Sequence, residues 1–422
     1  PVWFNTWNMG FPLQSVLSWG VYSTPQMLIG VLFHSNIYIL HAEFIFFIIL
    51  SGCCMYKLLK THFLTDKKLS LLFSCSYMLS GFTVGSSQWL LYITAMTFIP
   101  LTIYCLLSLL KSPSIKYSIL FAISFFLFFT NVHIYFTVIS SYILVFFLLF
   151  YLIRLFFVLD KTKQEKQKIV RHILLAFFST AILCAAPAYY SYEIITYLAR
   201  SQPLADGSLF FQSNYLHPDG LTSLLLPSSS VRTSHINTEN IMQDTYIGLL
   251  PLLLLPVSVI INFKQKNNIA RGLLIVSFVF LFISFGHLTP AREWLNILPG
   301  LSHFRHPGVL RLFFIFFFIL YLADTFKKHS LTGIIQKETL ERKSIIIILF
   351  ILILISLFLL AIYYGNFTSI WKGSAYQTIK NISKQELFII NVLTQFLFIV
   401  SLLFSIYKKQ HFFSTLIIAE LI

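Results

Sequence analysis

Charge is scarce in this sequence, and acid is scarcest. Only 11% of the 422 residues are charged, and Asp and Glu together number 15. A soluble globular domain carries about 25% charged residues, which excludes a soluble protein as the class of the whole chain. No Asp or Glu occurs from Pro1 to Ala42, so that segment offers no carboxylate for acid–base chemistry. Cysteine is rare too. Cys53, Cys54, Cys75, Cys105 and Cys184 all fall in apolar runs without zinc-ligand spacing. They read as small packing residues, not as a disulfide framework or a zinc site. Internal repeats and low-complexity tracts are absent, and the two halves show no correspondence. The last absence weighs mildly against a repeat-built transporter. The net charge of +15 has no soluble basic domain to carry it, which excludes nucleic acid as a partner.

What the sequence does have is apolar length. Hydrophobic residues make up 57% of it, with 46 Phe and 21 Tyr, and the mean hydropathy is +0.80. A helix needs about 20 apolar residues to cross a bilayer. That rule predicts spans at 36–59, 68–86, 88–110, 116–131, 133–157, 169–190, 245–263, 270–286, 308–326, 343–364 and 386–407, with a twelfth starting near His411. The expected fold is an all-α polytopic membrane bundle of about 11–12 helices, one transmembrane domain over 1–422. The break at Asn131-Val132-His133 is critical, since a single bent helix there would invert everything after it.

Basic residues test the count, because Lys and Arg collect in cytoplasmic loops. With 1–35 outside, about 22 of the 30 Lys and Arg fall inside. They lie in short loops such as 57–68, 111–116 and 160–171. The outer face then carries the long segments 1–35, 191–244, 287–307 and 365–385, and loops of that length are usually functional. An outside start, and an end at Ile422 within an apolar run, read as a domain truncated at both ends. One helix is expected upstream of Pro1.

The stretch Gly286–Arg311, GHLTPAREWLNILPGLSHFRHPGVLR, concentrates polar groups between apolar runs. Arg305, His306 and Arg311 bracket Pro307 at the start of a predicted helix. Arginine forks and free helix N–H groups suit a phosphate, though long basic side chains also snorkel to headgroups for no other reason. Asp219, in His217-Pro218-Asp219-Gly220, and Asp244, before the span at 245–263, are the secondary acid candidates. A turn residue and a helix cap are their plain alternatives. Trp7, Asn8, Tyr22 and Gln26, in an acid-free loop, suit sugar stacking and hydroxyl recognition, although aromatic belts also explain Trp and Tyr. Glu43, inside the first span, reads as a structural pair partner as readily as a functional group.

Trp7–Pro12 (WNMGFP), Tyr22–Gln26 (YSTPQ), Tyr246–Pro251 (YIGLLP) and Gly286–Pro307, with its Thr289-Pro290, Leu298-Pro299-Gly300 and Phe304-Arg305, follow in order. Together they resemble the bacterial YfhO-like membrane proteins. The resemblance implies a GT-C architecture in the bacterial cytoplasmic membrane. Its activity would be transfer of a sugar from a polyprenyl-phosphate donor to a cell-envelope glycopolymer or protein on the outer face. It places the principal catalytic acid in the first outer loop, upstream of Pro1. No cofactor is assigned, and a divalent metal stays open. A flippase for lipid-linked glycans, another transporter or a non-catalytic envelope-assembly protein are the alternative readings.

Overall fold

A computed structural model describes residues 3–4, 11–12, 32, 37–64, 66–195, 214–224, 242–295, 297–299, 301, 305–327, 389–397 and 399–400. The described chain is helical apart from a two-residue antiparallel bridge, β1 (Trp3–Phe4) with β2 (Phe11–Pro12). It packs as two compact units. The first is Pro1–Leu58, Ser86–Ala205 and Leu295–Phe304, and the second Leu59–Gly85, Asp206–Trp294 and Arg305–Ile422.

Five helices among the described residues are long and apolar enough to cross a membrane: Ile37–Phe63, Leu90–Lys111, Ile134–Phe157, Lys163–Tyr189 and Pro307–Thr325. Shorter apolar helices occupy Ile115–Asn131, Leu249–Phe263 and Asn268–Ser284. The protein is therefore a helical membrane protein. Each predicted span up to 326 coincides with helix, with one break described below. The span at 343–364 lies outside the described residues, and 389–400 covers part of 386–407.

In the first unit, α1 (Ile37–Leu58), α4 (Leu90–Lys111), α5 (Ile115–Asn131), α6 (Ile134–Phe157) and α7 (Lys163–Ile195) pack around α4. The apolar stretch of α4 is 78% buried, against 28–33% for those of α1, α6 and α7, which turn Phe and Ile outward as lipid-facing residues do. In lipid no hydrophobic effect drives helices together, so small residues and interhelical hydrogen bonds hold them, at about 0.6 kcal/mol per bond. Thr97 Oγ1 donates to the Phe47 carbonyl at 2.9 Å, Thr94 Oγ1 to that of Asn131 at 2.5 Å, and Ser118 Oγ to that of His172 at 2.9 Å. Glu43 is buried in this unit.

The same bonds decide the break at residue 131. α5 starts beside the end of α4 and finishes at Thr94, near its beginning. The His133 amide then donates to Leu91, and the Tyr151 hydroxyl reaches Leu110, so α6 retraces the path alongside α4. The chain reverses at Val132-His133, with His133 capping the new helix. These are two crossings, not one bent helix.

In the second unit, α8 (Leu249–Gln265) and α11 (Arg311–Thr325) run parallel, with α9 (Asn268–Ser284) antiparallel to both. Ser258 meets Tyr321 and Asn262 meets Thr325 in one register, while Ser277 and Asn267 meet Phe314 and Asp324 in the reverse one. Phe280 stacks on Phe313 and Phe317. The span at Pro307–Thr325 is 94% buried and is the centre of this unit.

One expectation is corrected here. The predicted span at 68–86 is not a single helix but α2 (Lys67–Met78) and α3 (Gly81–Gly85), broken at Leu79-Ser80. At the start of α3 the buried Asp244 carboxylate occupies the space where a side chain at position 81 would carry its Cβ, which requires glycine there.

Candidate functional site

Four segments that are distant in sequence converge in the second unit: 214–224, 242–248, 284–292 and 305–311. Backbone bonds join them. The Leu216 amide donates to the Ser284 carbonyl at 2.8 Å, and that of Gly308 to Asn214 at 3.1 Å. A buried hydroxyl network fixes the short 3-10 helix Pro218–Leu224 on residues 243–245. Ser223 Oγ and Thr245 Oγ1 lie 2.9 Å apart, and the Thr245 amide donates to Ser223 Oγ at 2.8 Å. Gly286, at φ +58°, fits because a Cβ there would press on Tyr215 and Pro307.

This scaffold presents Tyr215, His217, Asp219 and His287. His217 Nδ1 is 3.5 Å from Asp219 Oδ2 and accepts the Asp219 amide at 3.2 Å. The carboxylate is about half exposed and the imidazole a quarter exposed, so an oriented His–carboxylate pair stands open to a substrate. The Tyr215 ring meets His287 edge-on, with centroids 4.6 Å apart, and lies 6.1 Å from His217. Arg305 and His306, both half-buried, precede the Pro307-Gly308 backbone that is bonded to Asn214. The arrangement offers acid–base groups on one segment and a cation beside the same scaffold.

His287 Nδ1 is enclosed and has no hydrogen-bond partner among the described residues, and desolvation holds its pKa below the ordinary imidazole value. The folded state therefore favours the neutral ring. As pH falls below the unfolded value of about 6.5, the unfolded chain takes up this proton first. Stability is then lost until the lowered folded pKa is passed. His287→Phe should reduce the drop in melting temperature between pH 7 and pH 5.5, and an unchanged drop would count against this origin.

The sequence candidates separate by burial. Asp219 is at the surface. Asp244 is 2% exposed, and its Oδ1 accepts the Tyr246 amide at 3.1 Å. It caps a turn, while α8 starts later, after Gly248. Arg311 is fully buried. Its Nε donates to the Asp244 carbonyl at 2.7 Å, its Nη1 donates to Gly308 at 2.9 Å, and the guanidinium lies 4.9 Å over the Phe82 ring. It stands in the interior as a brace, away from Arg305 and His306 at the surface. Arg292 is also buried. Trp7, Asn8, Tyr22 and Gln26 lie outside the described residues.

Tyr215, His217 and His287 enter the site only through the structure. The sequence signal for them was His217 two residues before Asp219, and His287 at the head of the polar stretch. Among the described residues no three His, Cys, Asp or Glu side chains stand together as a metal site. The chain matches no protein-family model, no curated protein and no solved structure.

Proposed function

We propose that this chain is a membrane glycosyltransferase of GT-C type that moves a sugar from a polyprenyl-phosphate donor to a cell-envelope acceptor. It would work on the extracytoplasmic face of the bacterial cytoplasmic membrane. The observation that carries the reading is the exposed Asp219–His217 pair on the same scaffold as Arg305 and His306. In the reaction the acceptor hydroxyl attacks the anomeric carbon and the bond from that carbon to the phosphate oxygen breaks. The hydroxyl proton goes to a base, and the lipid phosphate leaves with its electron pair. Asp219, whose carboxylate is about half exposed, is a base of the right type within this chain, and Arg305 with His306 supplies charge for the leaving phosphate.

Asp219→Asn should lower sugar incorporation from synthetic polyprenyl-phosphate hexoses by about 100-fold or more, with membrane insertion and melting temperature unchanged. Wild-type transfer by that variant would remove the pair from the mechanism. Arg305→Ala should raise the donor KM, and wild-type kinetics there would sink the phosphate role.

The helix interruption at Leu79-Ser80, beside buried Asp244 and Arg311, favours a second reading as a lipid-linked glycan flippase, since transporters use discontinuous helices at their sites. In that case Asp219→Asn would leave translocation intact and no sugar would be transferred.

A further inference from the structure

We infer that the charged end of the first unit is a headgroup site for anionic phospholipid, built on the connection between α6 and α7. The inference is independent of the proposed transfer activity. α7 has 33 residues, about 50 Å at 1.5 Å per residue, while the hydrocarbon core is about 30 Å thick. Its first turns therefore project past the apolar layer. They carry Lys163, Lys166, Lys168 and Arg171, with Lys161 just before them, and all are exposed or half-exposed.

The nearby acids cancel only part of this charge. Asp160 and Glu165 are the two carboxylates between 157 and 172, against the five cations Lys161, Lys163, Lys166, Lys168 and Arg171, and Glu165 is turned to Thr162, accepting from its amide at 2.9 Å and from its hydroxyl at 3.0 Å. Lys116 joins the same end, because Ser118 Oγ is bonded to the His172 carbonyl. By contrast, 86–95 and 127–140, which meet at the opposite end of the unit, contain no Lys or Arg.

Charge alone would suit any anion, and the second observation selects a lipid. Phe156, Phe157 and Val158 are 53%, 85% and 65% exposed and directly precede the basic run. Lys166 Nζ donates to the Phe156 carbonyl at 3.3 Å, which ties the cations to this apolar lip. An amphiphile with an anionic head satisfies both surfaces at once, acyl chains against Phe156 and Phe157 and phosphate on the lysines. A soluble polyanion would leave Phe157 in water.

The test uses the full chain, purified in a zwitterionic detergent and titrated with dioleoyl phosphatidylglycerol or dioleoyl phosphatidylcholine, with bound lipid read by native mass spectrometry. Phosphatidylglycerol should be retained preferentially. The variant K163Q/K166Q/K168Q/R171Q should lose about tenfold or more of that affinity while melting normally in phosphatidylcholine. If it fails to fold, K163Q/K168Q replaces it, with a smaller loss in the same direction. The control K67Q/K68Q should bind as wild type, and Phe157→Ser should weaken phosphatidylglycerol binding. Equal retention of the two lipids, or unchanged binding by the charge variants, would overturn the inference. So would displacement by glycerol phosphate at lipid-like concentrations, which would make this a site for soluble anions.

Discussion

Arg311→Met is expected to destabilise the second unit by about 3 kcal/mol, and Arg311→Lys by nearly as much. The guanidinium is fully buried and serves two carbonyls, those of Asp244 and Gly308, on the segment before α8 and at the start of α11. Methionine fills most of the volume but removes a cation from beside the buried Asp244, and losing one buried charge next to another that stays is destabilising. The cost lies in what stays behind, since each buried carbonyl that loses its donor costs about 1–3 kcal/mol. The attraction to the Phe82 ring, about 2 kcal/mol when desolvated, is lost as well. Lysine keeps a charge but has no planar fork to reach both carbonyls. The measurement is the thermal midpoint in detergent, alongside the fraction of monodisperse protein. A variant that melts like wild type yet abolishes sugar transfer would return Arg311 to phosphate binding and remove it from the scaffold.

That outcome bears on how much of the site was legible in the sequence. Span positions were legible because they depend on composition over about 20 residues, and the described helices between 37 and 326 follow them closely. The reversal at Val132-His133 was legible too, through the polar Asn and His that end one apolar run and open the next. Burial within the polar stretch was not. Arg305 and Arg311 are the same residue type six positions apart, yet one is half-exposed and the other interior. The difference comes from Asp244 and Phe82, which lie 67 and 229 positions away in the chain. For the same reason Asp219 and Asp244 look equivalent in sequence and part company in the fold. A short 3-10 helix holds the first at the surface, and the broken helix encloses the second. Charge periodicity carries no information about which long-range neighbour will claim a side chain, so the burial of Arg311 and Asp244 emerged only from coordinates, while His217 beside Asp219 was visible in the sequence.

Gly81→Ala should be strongly destabilising, costing about 3 kcal/mol or more. A methyl group at this position would overlap the Asp244 carboxylate and lie 2.7 Å from the Tyr246 amide nitrogen. The Gly81 amide itself donates to the Tyr246 carbonyl at 2.7 Å, so α3 cannot back away without giving up that bond. Neither partner is the free end of a flexible chain. Asp244 is pinned by the Tyr246 amide, and its own carbonyl is held by Arg311. Gly272 provides the control, because a Cβ there meets nothing within 4 Å. Gly272→Ala should be neutral or stabilising by up to about 1 kcal/mol through helix propensity. The cause of the Gly81 effect can be isolated with Asp244→Ala, which removes the carboxylate but leaves the Tyr246 backbone in place. The double variant should recover part of the loss, with a coupling of about 1 kcal/mol. Strict additivity would mean that the Asp244 carboxylate is not what excludes a methyl group at position 81.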